Sequence, residues 1–255
     1  MTLAGAAIGV LIGVTAGLFS GLVGIGGGTV MTPGIQVLMG APPIIALATP
    51  LPAILPTAAT GAWTYHRAGE TDLRGAWLMV GPGIVGAIGG AALTDVVATH
   101  LLLLLTALIL GYQAVGILRG SAGRAAAERP ISPATFAATG LVAGFVSGLL
   151  GIGGGLIMVP ILTGMLGMPL KRTLGTSLAA IVALVVPGTI VHAALGHIDW
   201  AIFAVVTVGA VPGARVGARI ALRTRASMLR LVVGSFLLVV AIAYGVNEAA
   251  AVLRG

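Results

Sequence analysis

Eight stretches of this sequence carry no charged residue, and most are long enough to cross a lipid bilayer as a helix. They are Leu3–Val23, Ile44–Tyr65, Gly75–Leu93, Leu101–Leu118, Ala134–Pro169, Thr173–Leu195, Ala201–Ala214 and Leu231–Val246. Segments this apolar fit only lipid or a core made of one another. Hydrophobic residues occupy 58% of the 255 positions and charged residues only 7%, whereas soluble domains are about a quarter charged. At roughly 20 residues per crossing, about eight to ten segments fit. The expected class is an all-α integral membrane protein. Met1-Thr2 offers no basic region before the first stretch, so Leu3–Val23 is expected to be a retained span rather than a secretory signal.

Several functions are disfavoured at this level. With no cysteine, disulfides, iron–sulfur clusters and thiolate zinc sites are out of reach. His66, His100, His192 and His197 show no metal-ligand spacing, so neither a metal nor a cofactor is expected. The net charge of +7 would suggest nucleic acid in a soluble chain, but basic residues in a membrane protein mark the cytoplasmic loops. The expected partners are the lipid bilayer and a small solute, not nucleic acid. The sequence does not give the oligomeric state.

The chain is also duplicated. Sliding it by 127 positions, the offset from Gly13 to Gly140, aligns Gly13–Asp72 with Gly140–Asp199 without a gap. Gly17, Ser20 and Gly21 fall on Gly144, Ser147 and Gly148, and Gly24-Ile25-Gly26-Gly27-Gly28 falls on Gly151-Ile152-Gly153-Gly154-Gly155. Met31, Pro33, Thr49, Gly69 and Asp72 meet Met158, Pro160, Thr176, Gly196 and Asp199. Matches concentrated at Gly, Pro and polar residues mark a tandem repeat rather than shared hydrophobicity. Residues 1–119 form the first repeat, 120–133 a polar linker and 134–255 the second repeat. Each half reads as five helical segments, giving about eight long and two short helices with a Gly-rich break after the first segment of each half.

The basic residues set the expected topology. If the segments alternate sides, Arg67, Arg74, Arg119, Arg124, Arg129, Lys171, Arg172, Arg219, Arg223, Arg225 and Arg230 share one face, with Arg254 opposite and Arg215 within a span. Treating the short pieces as side-neutral detours splits these residues about evenly. The positive-inside rule favours the first arrangement, an inverted-topology repeat with a cytoplasmic linker and both termini outside. A hairpin turning at mid-membrane would keep the same sidedness, so the depth of the Gly-rich breaks stays open.

Those breaks are the sharpest local signals. Backbone at membrane depth must be buried in protein or line a wet cavity, and a glycine run bares N–H groups just before a helix, expected at Thr29 and at Leu156, whose positive dipole end points back at the break. Two breaks brought together by inverted symmetry would hold an anion near the midplane; alternatively the glycines only permit a tight turn and close packing. Candidate substrate-binding residues are Ser20, Gly26, Gly27, Gly28, Thr29 and Thr49 in the first half. In the second they are Ser147, Gly153, Gly154, Gly155, Thr176, Ser177 and His192. Pro50, Pro52, Pro56 and Pro187 are expected to interrupt the helix ladder beside Thr49 and the Thr176-Ser177 pair. Gly5, Gly9, Gly13, Gly17 and Gly21, like Gly140, Gly144 and Gly148, form a small-residue face for helix packing.

The carboxylates lie in loops or at segment ends, which suits an anion better than a proton-coupled cation. Asp72 and Asp199 read as N-caps. An intramembrane serine hydrolase using Ser20 or Ser147 with His192 would need a unique nucleophile, yet this serine is duplicated while the histidine is not. The chain is therefore not expected to be an enzyme. A channel and a transporter are not separable at this level.

The doubled GxxSGxxGIGGG with its following Met and Pro, GTSL at Gly175–Leu178, and GxxD at Gly69–Asp72 and Gly196–Asp199 resemble the TauE/SafE sulfite exporter family over nearly the whole chain. The resemblance implies a bacterial or archaeal cytoplasmic-membrane transporter for sulfur-containing anions such as sulfite, thiosulfate or organosulfonates. One departure is Ala48-Thr49-Pro50-Leu51 in the first half, opposite Gly175-Thr176-Ser177-Leu178 in the second.

Overall fold

Backbone surrounded by apolar side chains satisfies its polar groups within the segment, and long charge-free stretches do so as helices. The computed structural model describes residues 3–93, 108, 111–112, 114–119, 131–150 and 154–252, and all regular structure among them is helical. The first half contributes α1 (Leu3–Val23), α2 (Gly28–Leu38), α3 (Pro43–Ala48), α4 (Pro50–Arg67) and α5 (Leu73–Leu93). The second contributes α6 (Pro133–Leu150), α7 (Gly155–Pro160), α8 (Leu170–Ala194), α9 (Trp200–Arg223) and α10 (Ala226–Val252). Four helices among the described residues are long and apolar enough to cross a membrane: α1, the joined α3–α4 unit Ile44–Arg67, α8 and α9. Most of the linker, 120–130, lies outside the described residues, as does 151–153 with the candidate Gly153.

Two local expectations shift. The short helices begin at Gly28 and Gly155, one residue earlier than the sequence suggested. The prolines do not break the ladder: α4 runs through Pro52 and Pro56, α8 runs through Pro187, and Thr49 between α3 and α4 keeps helical dihedrals. Pro50 stands in the first turn of α4, where a missing N–H costs least. The N-caps form as read. Asp72 Oδ1 accepts from the Gly75 N–H at 2.8 Å, and Asp199 Oδ1 from the Ala201 and Ile202 N–H groups at 2.9 and 3.0 Å.

The helices α1 and α2 form a hairpin. Gly27 lies beside the Ala16 carbonyl and Ser20, Gly34 beside Ile12, and Gly9 beside Met39, so α2 runs back along α1. Across the halves the packing is reciprocal. A methyl group on Gly13, Gly17 or Gly21 would fall on the carbonyl of Val206, Ala210 or Ala214 of α9. One on Gly140, Gly144 or Gly148 would fall on that of Met79, Gly83 or Ala87 of α5, each 127 positions earlier than its counterpart. The ascending numbers show that α1 runs parallel to α9 and α6 parallel to α5.

Between these pairs α4 and α8 cross antiparallel, Gly61 meeting Leu178 and Gly188 facing Leu51. Basic residues gather at one end of the bundle, where α4 and α9 finish and α5, α8 and α10 begin. There Arg172 lies 3.6 Å from Asp72, and Lys171 Nζ donates to the Leu222 carbonyl at 2.6 Å.

Because backbone meets backbone along the glycine faces, added bulk cannot be absorbed by a rotamer change. We expect Gly17→Leu to destabilise the fold by about 3 kcal/mol or more. Gly81→Leu, where a Cβ meets open space, should leave thermal unfolding in detergent unchanged. Equal melting temperatures for the two variants would mean that this packing is not what holds α1 to α9.

Candidate functional site: the glycine turn between α1 and α2

The turn Gly24–Gly27 is possible only because glycine tolerates left-handed backbone: Gly24, Gly26 and Gly27 have φ of 75°, 86° and 86°. Gly24 N–H donates to the Ser20 carbonyl, and the next backbone bonds of the turn come from Val30 and Met31, both to the Gly27 carbonyl. The first N–H groups of α2 have no helical acceptor behind them. They sit at the positive end of an eleven-residue helix. Residues Gly24 to Gly28 are all buried. Gly26 packs between Ile54 and Ile181, each near the middle of its own span candidate.

Two hydroxyls beside this turn are left over. Ser20 is 0% exposed, and its Oγ has no hydrogen-bond partner among the described residues; the Thr29 Oγ1, in the first turn of α2, is likewise buried and unpartnered. Ser20 Cβ lies 3.4 Å from where a Gly27 Cβ would stand. An unsatisfied buried hydroxyl costs about 1–3 kcal/mol. Thr71, Thr163 and Thr207 also hold buried hydroxyls with no partner among the described residues, Thr71 two residues beyond Gly69, itself at φ 75°.

The other candidates divide into structural and separate groups. Thr49 and Thr176, 1% and 0% exposed, hold the halves together: the Asp72 N–H donates to Thr176 Oγ1 at 2.9 Å, and the Asp199 N–H to Thr49 Oγ1 at 3.1 Å. These bonds are reciprocal under the repeat. Ser177 Oγ donates to the Gly24 carbonyl at 3.0 Å, fastening the turn to α8. Pro50, its repeat partner, has no donor to return.

Gly155 touches the turn directly, a Cβ there meeting Ile25 Cα and the Gly24 carbonyl at 2.8 and 2.9 Å. Gly154, the residue before α7, has ordinary helical dihedrals, unlike Gly27, and lies near the Ala143 carbonyl. Ser147 is half-buried on α6. His192 is not brought to this cluster. It stands in the last turn of α8, fifteen residues and roughly 22 Å along the axis from Ser177. There its Nδ1 lies 3.1 Å from the Nδ1 of His197.

Sequence reasoning missed Tyr65, whose buried hydroxyl donates to the Gly21 carbonyl at 2.8 Å and anchors α1 just before the turn. A lone aromatic hydroxyl at the end of a charge-free stretch was the available signal, since a buried tyrosine usually finds a partner.

Known proteins match along most of the chain. The sequence model for the family Sulfite exporter TauE/SafE covers residues 9–244. A Bacillus subtilis relative, "Probable membrane transporter protein YdhB", is 30% identical over 215 residues, 82% of this chain and 88% of that protein. A Xylella fastidiosa relative, "Probable membrane transporter protein", is 30% identical over 233 residues, 89% of each chain. YunE of Bacillus subtilis, also named a probable membrane transporter protein, is 27% identical over 237 residues. No solved structure matches the chain. With its apolar helices and a match over nearly the full length, the chain belongs to the TauE/SafE sulfite exporter family of membrane transporters.

Proposed function

We propose that the chain carries small sulfur-containing anions, such as sulfite, a sulfonate or thiosulfate, across a cell's cytoplasmic membrane, holding them at the α1–α2 glycine turn. The observation that carries this reading is the pair of unpartnered buried hydroxyls, Ser20 and Thr29, at the N-terminus of α2. Bare N–H groups, a helix dipole and two hydroxyl donors offer an anion what water offers it. Asp72 comes near the turn through Thr176, next to the Ser177 that meets Gly24, but its carboxylate is engaged by the Gly75 N–H and by Arg172. Ser20 and Gly24 to Gly28 are buried, and in this reading an anion reaches the turn when helices part. This favours a transporter that alternates between states over an open channel.

Inverted symmetry fits the packing. The helix α9 ends at the basic end of the bundle while α5 begins there; α1 runs parallel to α9 and its repeat mate α6 parallel to α5. The mates α1 and α6 therefore run in opposite senses. In this reading the basic end and the 120–133 linker face the cytoplasm, and both termini lie outside. Reporter fusions should show activity typical of the exterior at Gly255 and of the cytoplasm within the linker. A cytoplasmic Gly255 would remove the inverted arrangement.

The substrate reading is tested by calorimetric titration of the purified protein with sulfite, thiosulfate, sulfoacetate, taurine and sulfate. Saturable binding of at least one sulfur oxyanion is expected. Heats no different from buffer for all five, with a cooperatively unfolding sample, would reject it.

A further inference from the structure

A cavity of about 350 Å³ opens sideways between α4, α5 and α8, walled by Ala59, Ala62, Ala76, Ala179 and Ala183 and flanked by Trp63 and Trp77. It is distinct from the glycine turn. Ile181 faces Gly26, whereas Ala179 and Ala183, two residues to either side, are turned about 160° away on the same helix. The lining is almost wholly apolar and offers no seat to a small anion. Trp63 and Trp77 are 57% and 71% exposed, as expected for rings at the level of lipid headgroups.

The mouth of the groove carries charge. Its lining reaches His66 and Leu73, and Arg67 and Arg74 are the next residues in sequence, both exposed at the basic end. The Arg67 guanidinium sits 5.1 Å above the Trp63 ring, a cation–π contact that holds it at the groove entrance. Neither arginine makes an ion pair among the described residues, whereas Arg172 nearby faces Asp72. Glu70 is the one other acidic residue in the α4–α5 turn, which leaves the two arginines in excess.

We infer that this groove is a binding site for an anionic phospholipid, one acyl chain lying against the alanine wall and the headgroup phosphate meeting Arg67 and Arg74. Small side chains on three helices leave a slot that a flexible hydrocarbon fills, and the arginines stand where the chain's polar end emerges. Selectivity comes from the headgroup's net charge, since each arginine near an anionic headgroup contributes about fivefold in affinity. Phosphatidylglycerol is therefore expected to bind roughly thirtyfold more tightly than the zwitterionic phosphatidylcholine.

Native mass spectrometry of the full chain in neutral detergent, titrated with each lipid and with soluble glycerol phosphate, tests this. Wild type should retain phosphatidylglycerol preferentially and ignore glycerol phosphate. The double variant R67Q/R74Q should bind the two lipids about equally, and Ala59→Phe, which fills the slot from an exposed position, should weaken both while unfolding at the wild-type temperature. Equal affinity of wild type for the two lipids would overturn the headgroup contact. Undiminished lipid binding by a folded Ala59→Phe protein, or glycerol phosphate binding as tightly as the lipid, would overturn the groove as the acyl site.

Discussion

Gly27→Leu is expected to abolish anion transport. At φ of 86° any side chain pays a left-handed backbone cost of roughly 1–2 kcal/mol. A Cβ would also stand 3.1 Å from the Ala16 carbonyl and 3.4 Å from Ser20 Cβ, so leucine would press on α1 beside the Ser20 hydroxyl. Gly27→Ala separates backbone strain from blockage. It should lower thermal stability by the same backbone cost and retain measurable flux. Gly154→Leu is expected to block transport through the second half, but without the left-handed strain, because Gly154 already has helical dihedrals. Flux in reconstituted vesicles and unfolding in detergent check the series together. A folded Gly27→Leu protein with wild-type flux would reduce the glycines to packing elements.

Ser20→Ala should split stability from affinity. Its hydroxyl is buried with no partner, so deleting it removes an unsatisfied donor and should leave the empty protein equally stable or slightly more so. If that hydroxyl donates to a bound anion, the same change costs about 1.5–3 kcal/mol of binding, or roughly 10- to 100-fold in affinity. Ser20→Asp places a carboxylate against the turn and should eliminate binding at any pH where it is ionised. Thr176→Asp would not report on cargo in the same way. Thr176 already accepts the Asp72 N–H, so that substitution disturbs the join between the halves, and its expected first effect is on unfolding temperature. A Ser20→Ala protein that melts earlier yet binds its anion normally would assign the hydroxyl to the fold instead.

The legible parts of this molecule are those whose physics is local. Four of the charge-free stretches give helices long enough to span, Asp72 and Asp199 give N-caps, and the Gly24–Gly28 run gives a turn, each from neighbouring residues alone. Long-range partners were not legible. Thr49 and Thr176 stood out as equivalent positions, as did Asp72 and Asp199, but nothing local says that each threonine of one half accepts from the aspartate N–H of the other. The Pro50/Ser177 difference was visible as a departure between repeats. Its consequence, a hydrogen bond to the Gly24 carbonyl made from one half only, required the crossing of α8 over the turn. His192 has chemistry suited to an anion, yet its place in the last turn of α8 sets it far along the helix from Ser177 and beside His197.

Uptake of sulfite, thiosulfate, sulfoacetate, taurine and sulfate into vesicles reconstituted with the wild-type protein, with and without a proton gradient, puts anion transport at this turn to the most direct trial. Uptake of at least one sulfur oxyanion should saturate with concentration and compete with the others, and the half-saturating concentration should rise in Ser20→Ala by the same 10- to 100-fold predicted for binding. Flux that rises linearly without saturation would make the protein a channel. No flux of any of the five above that of empty vesicles, from protein that unfolds cooperatively, would contradict sulfur-anion transport altogether.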